Sequence, residues 1–228
     1  MTDGLDKQHQ IPKIIHYVWV GGKPLTPLAE HCLASWKKYL PDYEIKRWDE
    51  SNSSMNHPYV KVMYAKKKWA FVSDYIRFWV LAEHGGVYLD TDQEIFKSLN
   101  PLLNQTGFVG RSKSGQIESS VIGAVPAATF VKKALHFYNT DKNFLTADTS
   151  PLVLERAIKE AGSIGVSIYD SSFFHPINEG ENLTPAARAQ AYGIHHWAES
   201  WVPLASWRKL ARRLGLMRFV KRMYGFFR

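Results

Sequence analysis

Residues 14–20 read Ile-Ile-His-Tyr-Val-Trp-Val, a nearly unbroken apolar run closed by Gly21 and Gly22. The pattern predicts a buried parallel strand followed by a turn in which the backbone comes close to another group. Thr26 ahead of Pro27 marks a helix start, and Leu28, Cys32, Trp36 and Tyr39 keep helical spacing up to Pro41. Residues 43–48 read as the next strand. Strand, helix and strand in that order form a βαβ unit, the building block of an open α/β sheet whose ligands bind beyond the carboxyl ends of its strands.

The next helical stretch covers residues 68–84, where Val72, Ile76, Trp79 and Val80 form an apolar stripe while Asp74, Arg77 and Leu81 share another face. Gly85 is its expected C-cap. Residues 87–89 form a short strand that runs out into Asp90-Thr91-Asp92. Further strands are predicted at 107–110, 120–125 and 166–169, and helices at 128–139 and 151–161, the last capped by Ser150 ahead of Pro151. There is no internal repeat and no low-complexity tract.

Composition narrows the class. A chain of 228 residues, 45% hydrophobic and with 8 Trp, 11 Tyr and 12 Phe, buries a full core, which sets aside disordered and fibrous classes. The single cysteine, Cys32, cannot close an intrachain disulfide or form a cysteine-rich zinc site; among Leu28, Leu33 and Trp36 it is expected to be buried. Residues 1–10 are expected to be a mobile leader, with neither the basic start nor the apolar run of a signal peptide. No apolar stretch reaches the roughly 18 residues needed to span a bilayer, and the expected location is the cytoplasm.

The acids at 90 and 92 carry the first chemical reading. Carboxylates at a strand end can hold a hard divalent cation, Mn²⁺ or Mg²⁺, whose remaining positions accept phosphate oxygens, so a diphosphate leaving group could depart there. Asp74 and Arg77, three apart on a helix, can pair with each other or reach a sugar nucleotide, the carboxylate accepting from hydroxyls and the guanidinium facing phosphate. Trp19 can be core, or can stack on a nucleobase from its strand end. The segment 192–201 brings His195 and His196, one of which could supply the third ligand that an open carboxylate pair lacks, with Ser200 as a hydroxyl alternative. Glu118 reads as an exposed loop acid or as a contact for an acceptor hydroxyl.

Together, Ile-Pro-Lys-Ile-Ile-His-Tyr-Val-Trp-Val-Gly-Gly at 11–22, Ser-Asp-x-x-Arg at 73–77, Gly-Gly-Val-Tyr-Leu-Asp-Thr-Asp at 85–92 and His-His-Trp-x-x-Ser-Trp at 195–201 resemble the DXD sugar transferases, glycosyltransferase family 32. The resemblance runs from about residue 11 to 201. It implies a GT-A fold, an open mixed sheet flanked by helices, with a nucleotide-sugar donor, a divalent metal and retention of anomeric configuration. By the same resemblance Trp19 stacks on the base, Asp74 and Arg77 hold ribose and sugar, and Tyr88 lines the nucleotide site. Asp90 contacts ribose or sugar and, through water, the metal, while Asp92 ligates it directly. His195 or His196, Ser200 and Trp201 complete the metal and diphosphate shell. UDP-hexose is the first expected donor and GDP-mannose the second; the acceptor is a saccharide or lipid-linked glycan in surface polysaccharide synthesis. Glu199 and Ser150 stand where the family commonly has glycine.

The net charge of +8 comes from the end of the chain. Beyond Glu199 there are eight basic residues and no acid, which leaves 21 basic against 21 acidic residues elsewhere. From Pro203 onward Trp207, Leu210, Leu214 and Met217 share one helical face and Arg208, Lys209, Arg212 and Arg213 another, and a second such segment follows Gly215. Residues 203–228 therefore read as a basic amphipathic tail contacting an anionic membrane surface, behind a catalytic domain at 11–202. A neutral body argues against a nucleic-acid partner. The competing readings are an Asp-x-Asp phosphatase, whose acids normally sit on the first strand, and a non-catalytic membrane or glycan-binding protein of the same fold.

Overall fold

The computed structural model describes residues 10–140, 149–162, 165–178 and 180–198. Strand β1 (Ile14–Val18), helix α1 (Pro27–Tyr39) and strand β2 (Glu44–Trp48) form the expected βαβ unit, with β1 and β2 paired in parallel. Thr26 caps α1, its hydroxyl accepting the Ala29 N–H at 3.2 Å, and Cys32 is fully buried. Helices α2 (Pro58–Ala65) and α3 (Trp69–His84) follow, then β3 (Gly86–Leu89), which pairs in parallel with β1. Beyond it lie β4 (Gln93–Ile95), β5 (Gly107–Arg111), β6 (Ile117–Ala124), α4 (Thr129–Thr140), α5 (Ser150–Ala161), β7 (Val166–Tyr169), α6 (Ser171–Phe174), α7 (Pro185–Gln190) and β8 (Gly193–His195).

Six strands make one mixed sheet in the order β2-β1-β3-β6-β5-β7, with β6 antiparallel to both of its neighbours. β4 and β8 pair with each other as a separate antiparallel ribbon. Helix α1 fastens that ribbon: the Trp36 indole donates to Gln93 O at 2.7 Å and the Ser35 hydroxyl accepts the Ile95 N–H at 3.0 Å. Among the described residues no helix is long and apolar enough to cross a membrane.

Helix α3 is buried on more than its apolar stripe. Val72, Ile76 and Val80 are in the core as the spacing predicts, but Asp74 and Arg77 are buried as well. Gly85 caps the helix, its N–H bonded to Leu81 O at 3.0 Å. The turn into β3 needs two glycines in the left-handed region, Gly85 at φ +62° and Gly86 at φ +99°; a Cβ on Gly86 would lie 2.6 Å from Ile14 O. The cap of α5 differs from expectation. Thr149 occupies the cap position, and Ser150, inside the first turn, turns its hydroxyl to Asp74 instead.

His16 ties this turn to the sheet. Fully buried, it accepts the Trp48 indole N–H on Nδ1 at 3.0 Å and donates from Nε2 to Gly85 O at 2.8 Å, which requires the neutral ring. Burial pulls its pKa down from 6.5 to about 4. Between those values the unfolded chain binds a proton that the folded one refuses, so stability falls as pH drops through this window and levels off below it. Urea unfolding should show a loss of up to about 3 kcal/mol between neutral pH and pH near 4 from this group. His16→Gln should lower stability at neutral pH and flatten that slope.

Candidate active site

The two acids stand where β3 leaves the sheet. After Leu89 the Asp90 N–H still bonds Ser120 O of β6 at 2.9 Å, and a turn closed by Gln93 N–H on Asp90 O at 2.9 Å directs the chain into β4. Because β8 pairs with β4, with Gln93 opposite His195, the end of β8 lies against this turn. The Asp92 carbonyl accepts the His196 N–H at 3.0 Å, its Oδ2 accepts the Ala198 N–H at 2.8 Å, and its Oδ1 lies 3.1 Å from His195 Nε2. Trp197, between those two amides, is held at φ +51°, a conformation costly for a bulky side chain. One ligand atom each from Asp90, Asp92 and His195 can be chosen so that all three lie within 4.8 Å of one another.

Charge follows from the contacts. Burial works to raise the Asp92 pKa, but the His195 imidazole and the Ala198 N–H outweigh it and hold the carboxylate below its usual range. Burial likewise opposes the charged form of His195, and the carboxylates of Asp92 and Asp90 overcome it and raise the imidazole.

Behind Asp90 is a buried polar network that the sequence only hinted at. Arg77, 3% exposed, donates from Nη1 to Ser119 O at 2.8 Å and Ser119 Oγ at 3.0 Å, and from Nη2 to Asp74 Oδ1 at 2.9 Å and Asp90 Oδ1 at 3.3 Å. The Tyr88 ring lies 4.6 Å beneath the guanidinium, and its hydroxyl donates to Asp90 Oδ1 at 2.8 Å. Ser150 donates to Asp74 at 2.6 Å and shares a 2.7 Å contact with Ser119 Oγ. Asp74 and Arg77 thus pair with each other, as their spacing allowed, and Arg77 also grips the first acid of the DXD segment. Burial raises the Asp74 carboxyl against the opposing pull of Arg77.

Ser119 and Ser120 reach the site through a break in the β5–β6 ladder. Val109 faces Ile122 but Gly110 faces Glu118, so residues 119–121 of β6 have no partner on β5 and the strand bulges there on that side. Ser120 Oγ then meets buried His175 Nε2 at 2.8 Å. Ser119, Ser120, Ser150, His175 and Glu94 were not foreseen as site residues, and only the serine run beside Glu118 gave any signal. Glu118 is half-buried, its carboxyl raised by burial and within electrostatic reach of His195 and Asp90.

The two histidines part company. His195 joins the acids, while His196 Nε2 lies 3.0 Å from Glu94 Oε2. Trp19 is partly buried and its indole donates to Lys23 O at 2.7 Å. Ser200, Trp201 and the tail at 203–228 lie outside the described residues.

Removing the guanidinium would leave the buried Asp74 carboxylate without its counter-charge and take one contact from the half-buried Asp90. Arg77→Met should therefore cost about 3–5 kcal/mol in urea unfolding, with Arg77→Lys, which cannot reproduce the fork, recovering only part of it.

Comparison with known proteins bears on this arrangement. Residues 28–109 match the family model described as glycosyltransferase sugar-binding region containing DXD motif. The uncharacterized glycosyltransferase L373 of Acanthamoeba polyphaga mimivirus is 24% identical over 216 residues, covering 85% of this chain and 84% of that protein. Inositol phosphoceramide mannosyltransferase 3 of Schizosaccharomyces pombe is 27% identical over 218 residues, covering 82% of this chain but 60% of its own length. Among solved structures, PaToxG glycosyltransferase superposes with a TM-score of 0.54 at 20% identity, covering 67% of this chain and 69% of that one. A glycosyltransferase involved in glycosylation of the PBCV-1 major capsid also gives 0.54, at 13% identity over 82% and 95% of the two chains. The fold is GT-A, and the DXD segment on the exit of β3 lies inside the matched region, where the chain is similar to glycosyltransferases of the family 32 type.

Proposed function

We propose that this glycosyltransferase moves a hexose from a nucleotide-diphosphate sugar to a saccharide or lipid-linked acceptor, using Mn²⁺ or Mg²⁺ held by Asp90, Asp92 and His195. The observation that carries the reading is the convergence of two carboxylates and an imidazole from segments 103 residues apart onto one point. The donor set fits the ion. Two carboxylates suit a hard divalent cation, and one imidazole favours Mn²⁺ over purely oxygen-bound ions. Such a cation, when bound, stabilises negative charge on the departing diphosphate.

The protein's own groups do the rest. Arg77 and Tyr88 fix Asp90 from behind, so the carboxylate need not reorganise as the donor arrives. Trp19, at the end of β1, offers its indole to the base, and Asp74 and Arg77 lie behind the position of the ribose and sugar. Transfer breaks the C1–oxygen bond to the diphosphate and forms a bond from the acceptor oxygen to C1; the hydroxyl proton passes to the leaving phosphate oxygen. Delivery on the same face retains configuration. Glu118 borders this space from β6 as a contact for the acceptor hydroxyl.

The mannosyltransferase names of several relatives, including mannosyl phosphorylinositol ceramide synthase SUR1 of Saccharomyces cerevisiae, support GDP-mannose beside UDP-hexoses as donor. The chain spans only 36% of that protein. Those names also support a lipid-linked acceptor; that the enzyme works at the cytoplasmic face of a membrane, with residues 203–228 against anionic headgroups, is part of the same proposal and rests on the basic amphipathic pattern of the tail. Surface polysaccharide synthesis is the setting that joins these features.

Incubation with a panel of UDP-hexoses and GDP-mannose should give metal-dependent donor turnover that chelation removes. Asp92→Asn should lower kcat by about 100-fold to 1,000-fold, and circular dichroism should show the variant, although less stable for the loss of its charge beside His195, folded at the assay temperature. Turnover indifferent to both changes would overturn the reading. In flotation with vesicles containing phosphatidylserine, the full chain should rise with the lipid, and reversing the charge of Arg212, Arg213 and Arg222 should leave it at the bottom.

A further inference from the structure

Asp92 and His195 belong to one small ribbon, and its register decides which histidine meets the acids. His195, the last residue of β8 and opposite Gln93, turns its ring to Asp92, while His196, the next residue, turns its ring to Glu94. Sliding β8 by one position would put His196 in the place of His195, opposite Gln93. β4 and β8 are three residues each, too short for their ladder alone to hold the pairing firmly.

Glu94 supplies what the ladder lacks. It sits in the middle of β4, opposite Ile194, and is 8% exposed. Its Oε2 lies 3.0 Å from His196 Nε2 and 3.5 Å from His31 Nε2 of α1, and its Oε1 accepts from Arg188 Nη2 of α7 at 3.3 Å. Arg188 is held in turn by Phe96, whose ring lies 3.8 Å from the guanidinium carbon. Three basic side chains, from α1, from α7 and from the residue after β8, thus converge on one carboxylate. An acid between Asp92 and the end of the ribbon is otherwise out of place in a buried strand.

We propose that Glu94 is a positioning residue that locks the register of β8 through His196, so that His195 and not its neighbour completes the cation site. The proposal rests on the cation reading of that site. It assigns the two histidines separate jobs: one faces the cation and the other holds the strand that carries it.

The test uses the full chain, with Mn²⁺ alone as the probe and binding read by electron paramagnetic resonance. Glu94→Ala should weaken Mn²⁺ by about 10-fold to 100-fold, the range for groups that orient a ligand without touching the metal. Glu94→Gln, which keeps volume and one acceptor oxygen, should lose less and serves as the readout should the alanine variant unfold. Because Glu94 acts through His196, the pair Glu94→Ala and His196→Ala should be no weaker than Glu94→Ala alone. Glu160→Gln, at a surface ion pair with Lys133 and Arg156, should bind as the wild type does. A second readout needs no metal: the His196 amide, bonded to Asp92 O, should exchange its hydrogen faster in Glu94→Ala and Glu94→Gln. Wild-type Mn²⁺ affinity in both Glu94 variants, additive losses in the double variant, or unchanged His196 exchange would overturn the lock. A wild-type chain that binds no Mn²⁺ would overturn the cation reading instead, leaving the exchange measurement to decide the lock.

Discussion

A guanidinium sealed from water fixes the geometry of this protein. Burying a charge is tolerable only when partners surround it, and Arg77 finds them in four places at once: Ser73 and Asp74 on its own helix, Asp90 at the exit of β3, Ser119 in the bulge of β6, and the Tyr88 ring. Ser150 extends the set to α5 by bonding both Asp74 and Ser119. None of these elements can shift without leaving a donor or a carboxylate unpaired in the interior. The first acid of the DXD segment is consequently held in place by the packing of the core.

The sequence displayed the regular parts of this plan well. The apolar run at β1 and the helical stripes of α1 and α3 are long enough to be read, and the Gly85-Gly86 pair ahead of β3 marks a turn that a Cβ would block. Asp74 and Arg77 were visible as polar residues on a helix otherwise rich in core positions. Their burial was not, because a face that pairs an acid with a base reads the same whether solvent or a third element covers it. Ser150 shows the same limit from another side. A serine before proline at a helix start signals a cap, yet its hydroxyl went to Asp74, a partner 76 residues away that no local rule can supply.

The ribbon β4–β8 was illegible for a different reason. Three residues cannot establish a period of two, and Gln93 and Glu94 are polar at buried positions. Their burial is stabilised by tertiary partners: Gln93 accepts from Ser120 and donates to Phe174 O, and Glu94 gathers its basic groups from α1, α7 and β8. The His-His pair was legible as a ligand source, but which of the two meets Asp92 depends on the register of β8, and that strand exists only through its pairing with β4.

The position of the acids follows from where the sheet changes direction. β3 has a parallel neighbour, β1, on one side and an antiparallel neighbour, β6, on the other. Pairing with β1 stops at Tyr88, whereas the bond from Asp90 to Ser120 carries the β6 side one step further. The chain therefore leaves the sheet on a single-sided hinge, free to turn at 90–93 yet still anchored. On one side of that hinge the β6 bulge delivers Ser119 to Arg77. On the other, Asp92 receives the end of β8 through its carbonyl and both carboxylate oxygens. A residue that holds a distant strand by backbone and side chain together brings His195 to the two acids by the same bonds that place its own carboxylate there, so the cluster of three and the local fold are one arrangement.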